Sequence, residues 1–382
     1  MKSTFKKMDK TLFFLMIVFT ILGLIMIFSA SSITAVLYNG VEESYYFKKH
    51  IYIIIVSWIF GFIVLKQPIK KYKLLGPVGI LIVIFLLAGL IPYGTITNSA
   101  KSWYNLGFFS LQPSEFAKSI VIVYLAIALE KIYQKKDFTL NKIITPFLFV
   151  LIILIFTAIQ PDLGTAAVIG GIAFFIFLAL PFNNPKINKL KIFGIISVII
   201  VSLFIIFGDK VLNTEQSSRL IFKEPCTRYI DKTGYQVCNG FIAINNGGLF
   251  GTGLGNSTQK YLYLPEAYTD FIFPIIVEEL GAIISILIIL AFIVLLYRIL
   301  KIAKHASTLS GSIMAYGSFI FILLHLLINL LGILAIIPLT GIPVPFLSYG
   351  GSFYINIIFV LFLTQRVHIE TYEVKKAKIL RG

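Results

Sequence analysis

The chain has 382 residues, of which 58% are hydrophobic and only 13% are charged, and its mean hydropathy is +0.92. This is more apolar surface than the core of a soluble protein could bury, so the composition excludes a soluble globular protein and indicates an integral membrane protein. The net charge of +16 does not indicate nucleic-acid binding, because the lysines are scattered among the connections between apolar segments and form no single basic face.

Apolar segments recur from one end of the chain to the other, each about as long as a helix that crosses the hydrocarbon layer. The sequence therefore predicts an all-α polytopic membrane protein with about ten transmembrane helices in a single domain, residues 1–382. The predicted spans are residues 11–33, 51–65, 74–92, 115–130, 143–158, 164–181, 192–208, 271–297, 311–337 and 352–364.

The distribution of lysine and arginine predicts the orientation. Most of these residues fall in every second connection, and the positive-inside rule then places both chain ends in the cytoplasm, as residues 1–10 and 365–382. Residues 209–270 become a large outer loop between the seventh and eighth spans. The first span could pass for a signal peptide, but its apolar run is long and we expect it to be retained.

Three outer segments are unlike simple linkers. Residues 92–113 are polar with aromatic anchors and contain Lys101 and Trp103. Residues 208–270 interleave aromatic and polar residues, and we expect this loop to fold against the helices. Residues 337–352 are too rich in proline and glycine for an ordinary helix, and we expect them and the large loop to border one outward-facing cavity.

Two features of the large loop have more than one interpretation. Cys226 and Cys238 are the two cysteines of the chain, and a disulfide and a pair of free thiols are equally compatible with their placement. The glycine-rich run at residues 247–255 superficially resembles a dinucleotide-binding loop. Because no strand–helix–strand context surrounds the run, we reject that interpretation.

Ionisable residues within apolar spans are costly and need partners. Glu115 and Lys118 stand three residues apart on one helix face, where they can pair. Glu278 and Glu279 lie inside the eighth span, and Lys118 and Arg219 are conceivable donors for them.

Other polar residues have simpler interpretations. Asp162 is expected to cap the helix that follows it. The histidines show no metal-ligand spacing, and we assign them no role; they are His50, His305, His325 and His368.

Asp270 follows a tyrosine-rich segment and directly precedes a long apolar span, which places it at the outer membrane surface. A helix N-terminus would lower the pKa of its carboxyl group, whereas partial desolvation would raise the pKa toward the range of a general base. From the residues alone, a helix N-terminal charge is the simpler interpretation.

Five motifs occur in order along almost the whole chain. They are Ala100-Lys101-Ser102-Trp103 with Gln112-Pro113-Ser114-Glu115, then Gln160-Pro161-Asp162-Leu163-Gly164-Thr165, then residues 247–255, then residues 264–273 with Glu278-Glu279-Leu280-Gly281, and finally residues 341–352. Together they resemble the shape, elongation, division and sporulation (SEDS) family of peptidoglycan glycosyltransferases, which includes FtsW and RodA. Ser99 and Ser102 depart from the residues common in that family.

The resemblance implies that Asp270 is the catalytic carboxylate and general base, and that Glu115 and Lys118 are a functionally important pair. Independently of the resemblance, charge alone suggests Arg219 and Lys260 as pyrophosphate contacts. The full set of supporting candidates is Glu115, Lys118, Lys101, Trp103, Arg219, Lys260, Glu266 and Ser348. No cofactor is firmly implied, and a divalent metal stays open.

The implied substrates are lipid II and undecaprenyl-pyrophosphate-linked glycan. The implied partners are a class B penicillin-binding transpeptidase and other membrane proteins of the division machinery, with no nucleic acid.

Residues 253–260 followed by residues 264–267 look more like the division and sporulation branch (FtsW-like) than the elongation branch (RodA-like). A lipid II flippase is the main alternative from another class, although we find no convincing internal repeat. A scaffold that only recruits a transpeptidase is a third.

Overall fold

The structure is a computed structural model that describes residues 2–97, 100–107, 110–182, 184–207, 224–229, 234–261 and 263–380. Its described helices are α1 (Lys2–Lys6), α2 (Lys10–Leu37), α3 (Tyr45–Lys66), α4 (Tyr72–Tyr93), α5 (Pro113–Lys135), α6 (Leu140–Ile159), α7 (Leu163–Ala179), α8 (Pro185–Phe207), α9 (Tyr235–Gly247), α10 (Ile272–His305), α11 (Leu309–Ile333) and α12 (Gly351–Ile379). Short 3-10 turns occupy Ile69–Lys71 and Pro225–Arg228.

A helix coincides with every predicted span, and seven helices within the described ranges are long and apolar enough to cross a membrane: α2, α3, α4, α6, α10, α11 and α12. Several of them present large apolar side chains on their outer faces, such as Phe85, which is 78% exposed, and Leu287. Exposing such apolar faces to water is unfavourable, whereas contact with lipid tails is not. The protein is therefore a multi-pass helical membrane protein.

The interior of the bundle is built around α5 and α12. Helix α5 packs against α4, α6, α7, α11 and α12, and helix α12 packs against α3 and α11 as well. Protein surrounds most of α12, in contrast to the lipid-facing helices. Because protein rather than lipid surrounds α5, this helix can carry charged residues such as Glu115 and Lys118.

The helical fold also contains a small sheet, which the sequence analysis does not predict. Three short antiparallel strands join α4 to α5: β1 (Thr95–Thr97), β2 (Ala100–Asn105) and β3 (Ser110–Leu111), in the order β1-β2-β3. Thr95 pairs with Trp103, and Tyr104 pairs with Leu111. Threonine and aromatic residues favour strands, so the composition of this polar segment is compatible with the sheet.

The described part of the large loop folds against the bundle, as predicted. Helix α9 packs along α10, and a disulfide between Cys226 and Cys238 joins the 3-10 turn at Pro225–Arg228 to α9. The structure thus contains the disulfide rather than two free thiols.

Helix α10 is broken at Gly281, where φ is 84° and ψ is 168°. The glycine-rich loop bonds the backbone groups that this break frees: Thr252 N donates to Glu278 O at 2.9 Å, and Ala282 N donates to Gly248 O at 3.0 Å. Irregular backbone is tolerated within a membrane protein when protein satisfies its polar groups in this way. The run at residues 247–255 therefore supplies the backbone hydrogen bonds that the broken helix lacks.

Replacing Gly281 with alanine is expected to destabilise the protein by at least about 2 kcal/mol. The added Cβ would lie 2.4 Å from Leu249 O, and the positive φ would strain any side chain. Gly170→Ala is the matched control, because its Cβ would meet nothing closer than 3.7 Å, from Leu154. Thermal unfolding in detergent should show a lower melting temperature for Gly281→Ala and no loss for Gly170→Ala; equal melting temperatures would contradict the proposed role of the break.

Candidate functional site

Asp270 lies two residues before α10, in a loop that is packed against the protein. Asp270 is only 9% exposed, and Thr269 Oγ1 donates a hydrogen bond to its Oδ1 at 3.3 Å. Burial raises the pKa of Asp270 to about 7, and the nearby Glu266 carboxylate acts in the same direction. A carboxyl group with such a pKa is partly ionised near neutral pH, which suits a general base.

Glu266, another predicted site residue, shapes the same loop. Its carboxylate accepts a hydrogen bond from Thr269, whose Oγ1 lies 2.6 Å from Glu266 Oε2. Its carbonyl oxygen accepts hydrogen bonds from Thr269 N and Phe271 N, and its φ of 57° is in the left-handed region. The structure therefore brings Glu266 close to Asp270.

The proline- and glycine-rich segment at residues 337–350 borders Asp270, as expected. A Cβ added at Gly341 would lie 3.8 Å from Asp270 Oδ2, and Tyr349 N donates to Tyr268 O at 2.9 Å. Within the segment, Val344 N donates to Ser348 Oγ at 2.8 Å. Ser348 is buried and closes this turn, so the structure places it as a residue that shapes the border of the site.

Glu115 and Lys118 form the predicted ion pair. Lys118 Nζ lies 2.6 Å from Glu115 Oε1, and the Lys118 side chain is 0% exposed. The ammonium also lies 3.0 Å from His325 Nε2, and it lies 6.0 Å and 5.9 Å from the ring centroids of Phe321 and Phe353. Glu115 Oε2 is buried without a hydrogen-bond partner among the described residues. The pair thus belongs to a buried polar cluster that includes a histidine.

His325, to which the sequence analysis assigns no role, contacts the ion pair. Its Nε2 faces Lys118, and its Nδ1 lies 3.3 Å from Pro343 O. Because Lys118 Nζ can only donate, Nε2 is the acceptor and Nδ1 carries the proton. Lys118 and His325 are 207 residues apart in sequence, so no local spacing could have revealed their contact.

Lys260 pairs with Glu279 rather than facing solvent. Lys260 Nζ lies 2.9 Å from Glu279 Oε1 and also donates to Ser29 Oγ and Gly255 O. Its ammonium is thereby committed to a buried contact between the glycine-rich loop, α2 and α10. Glu279 therefore finds its cation in Lys260, and not in Lys118, which the sequence offered as a conceivable donor and which pairs with Glu115.

Glu278 is held by uncharged donors. Ser257 Oγ, Thr258 Oγ1 and the backbone N–H groups of Thr258 and Gln259 all donate to its carboxylate. A carboxylate with this many donors needs no cation to be stable when buried. The side chains of the two adjacent glutamates therefore anchor residues 257–260, which follow the glycine-rich run.

The other predicted residues lie elsewhere. Lys101 and Trp103 are on β2, and Lys101 Nζ donates to Ile91 O at the end of α4. Arg219 lies outside the described residues. Asp162 caps α7 as predicted, accepting from Thr165 N, and also accepts from Gln112 Nε2 and Ser114 Oγ.

Metal ligation has no obvious centre in the described ranges. Within them, no group of three or more histidine, cysteine, aspartate or glutamate residues is arranged to hold a metal ion. Asp270 and Glu266 are two neighbouring carboxylates and fall short of such a group.

Comparison with known proteins identifies the family. The model of the FtsW/RodA/SpoVE family, described as "Cell cycle protein", matches residues 9–373. The chain belongs to this family. Relatives within it include "Probable peptidoglycan glycosyltransferase FtsW" of Bacillus subtilis (strain 168), 37% identical over 92% of this chain and 88% of the relative. "Stage V sporulation protein E" of the same organism is 36% identical over 91% of this chain and 94% of the relative.

Solved structures share the fold of the family. A chain described under "Structural coordination of polymerization and crosslinking by a peptidoglycan synthase complex" matches with a TM-score of 0.75 and 22% identity, over 96% of this chain and 99% of that one. The rod shape determining protein RodA of Thermus thermophilus matches with a TM-score of 0.66 and 20% identity, over 96% and 98% of the two chains.

Proposed function

We propose that this chain is a peptidoglycan glycosyltransferase that polymerises lipid II into glycan strands at the outer face of the bacterial cytoplasmic membrane. The observation that carries the proposal is Asp270, a buried carboxyl group with a pKa raised to about 7, in the position that the family motif assigns to the catalytic residue. The curated relatives named peptidoglycan glycosyltransferases support the same reaction.

Asp270 acts as the general base in the proposed reaction. Its ionised carboxylate accepts the proton of the acceptor sugar's 4-hydroxyl group, and the oxygen attacks the anomeric carbon of the growing chain. The new glycosidic C–O bond forms as the bond to undecaprenyl pyrophosphate breaks, with inversion at carbon. The leaving group carries the electron pair away, and Asp270 later releases its proton to water. If a divalent cation takes part, it would neutralise charge on the pyrophosphate.

Glu115 and Lys118 support this chemistry from within the bundle, while Trp103, Lys101 and Glu266 stay candidates for substrate contacts. Arg219 stays a candidate for the pyrophosphate on the basis of its charge. Ser348 shapes the border of the site through its contact with Val344, and Lys260 stays a candidate support residue, with its ammonium paired to Glu279. These roles rest on the family motif and on burial.

The membrane arrangement is proposed with the function. About ten helices cross the membrane in one domain, both chain ends are cytoplasmic, and residues 209–270 form the large outer loop. The concentration of lysine and arginine in every second connection supports this orientation. The partners are a class B penicillin-binding transpeptidase and other division proteins, with cell division as the cellular process.

Polymerisation of purified lipid II tests the proposal. The detergent-solubilised protein with its cognate transpeptidase should produce glycan ladders on a gel, and Asp270→Ala should produce none. Asp137→Ala is the matched control, since this aspartate lies in the connection between α5 and α6 and pairs with Lys142. Equal ladders from wild type and Asp270→Ala would remove Asp270 from the mechanism. No ladders from either would contradict the polymerase and favour the transporter or the scaffold.

The division branch is tested separately by depletion in cells. Filamentous cells would support a division role, and round cells would show that sidewall elongation is the true process.

A further inference from the structure

Asn329 on α11 holds the backbone of Asp270. Its Nδ2 amide donates one hydrogen bond to Asp270 O at 2.7 Å and another to Ile342 O at 2.7 Å. The residue is buried, and both N–H groups of the amide are used. One side chain thus fastens the loop that carries Asp270 to the proline- and glycine-rich segment that borders it.

His325 lies four residues earlier on the same helix and contacts the next residue of that segment. Its Nδ1 donates to Pro343 O, while its Nε2 accepts from Lys118. Residues four apart share one helix face. The side chains of His325 and Asn329, which we call the α11 bridge, therefore hold two successive carbonyl groups, those of Ile342 and Pro343.

Simple stabilisation of α11 does not require this arrangement. The backbone of α11 forms its own hydrogen bonds, and neither side chain caps the helix. The side chains of the bridge instead donate hydrogen bonds to two segments beside Asp270 that lack regular secondary structure. Such segments have no repeating backbone ladder to fix them, so side-chain donors decide where they lie.

We propose that the α11 bridge positions Asp270, with Asn329 fixing its backbone directly and His325 linking the same segment to the Glu115–Lys118 ion pair. The inference rests on the proposed function and adds positioning residues to it. Neither residue touches the reacting atoms in this proposal; both act through Asp270.

Loss of the bridge should affect chemistry more than binding. Displacing a catalytic group by about 1 Å can cost about 10²-fold in rate. Asn329→Leu, which keeps the size but removes both donors, is expected to lower kcat by about 10- to 100-fold and to leave KM within about twofold. Asn329→Ser keeps one donor and should fall between Asn329→Leu and wild type.

The pH profile separates positioning from general stability. A released loop exposes Asp270 to water, so the acid limb of the kcat profile should move to lower pH. The other groups that could affect this limb are Glu266 on the same loop, Tyr268 and Tyr349 beside it, and His325 on α11. None of these is altered by the Asn329 substitutions.

The experiment measures kcat, KM, the acid limb and the melting temperature for Asn329→Leu, Asn329→Ser and the control Leu327→Ala. Leu327 lies on the same helix but faces outward, and its substitution should leave all four quantities near wild type. A lower kcat with a shifted acid limb supports the proposal. Wild-type kcat, an unshifted acid limb, or failure of both Asn329 variants to fold overturns it, because each outcome assigns the residue no role through Asp270. Wild type and Asp270→Ala in the same assay show whether the polymerase function itself has failed.

Discussion

Replacing Asp270 with asparagine is expected to lower the rate of lipid II polymerisation by about 10²- to 10⁴-fold, the usual contribution of a general base. Asparagine has nearly the same shape as aspartate and keeps the backbone contact with Asn329, but it cannot take up the acceptor's proton. The loss should therefore appear in kcat, with KM changed little. Single-turnover measurement of glycan formation at saturating lipid II reports this step.

The pH dependence of the wild-type enzyme follows from the same group. Asp270 works as a base only when ionised, and burial raises its pKa to about 7 from the ordinary value of 3.8. Activity should therefore fall as the pH is lowered through about 7, well above the range expected for an exposed aspartate. An acid limb near pH 4 would contradict the burial of the carboxylate in the active enzyme.

Stability should change with pH in the opposite direction. A carboxyl group with a raised pKa binds its proton more tightly in the folded state, so it costs stability as the pH rises from about 4 through about 7. Asparagine carries no such cost. The melting temperature of Asp270→Asn should therefore exceed that of wild type by a gap that grows between pH 5 and pH 8. A variant that is inactive and also less stable at pH 8 would indicate misfolding instead.

Local signals in the sequence were enough to predict most of the helices. Each apolar run of the right length became a helix, because a backbone in lipid must satisfy its polar groups within the segment. The Glu115–Lys118 pair was also predictable, since a spacing of three residues brings two side chains together on one helix. Asp162 followed the same logic as a helix cap.

Long-range partners were not predictable from spacing. Lys118 meets His325, and Lys260 meets Glu279, only because α5, α10, α11 and the glycine-rich loop pack together. Charge alone suggested Lys260 as a phosphate contact, and packing gave its charge another partner. The break in α10 was equally hidden, because Gly281 sits in an apolar run and its freed backbone groups are met by residues 248–253. Packing, rather than composition, decides which polar residues are available to a substrate.

Removing Lys118 is expected to have the other large effect. Lys118→Met leaves the buried Glu115 carboxylate without its ion-pair partner and takes the donor away from His325. Breaking a buried pair from one side usually costs about 3–5 kcal/mol, because one charge is left uncompensated. The melting temperature in detergent should fall sharply, and polymerisation should be lost. Lys48→Met is the matched control, since its pair with Glu42 is exposed and its loss should leave the melting temperature near that of wild type.

The double variant Glu115→Leu with Lys118→Met separates a structural pair from a functional one. Replacing both members of a buried pair by apolar residues of similar volume is often neutral for stability, so the melting temperature should recover most of its loss. Activity should not recover, because the cluster that meets His325 and the segment beside Asp270 is gone. If activity returned together with stability, the pair would be only a packing element of α5, and the link from it to Asp270 through α11 would have no part in catalysis.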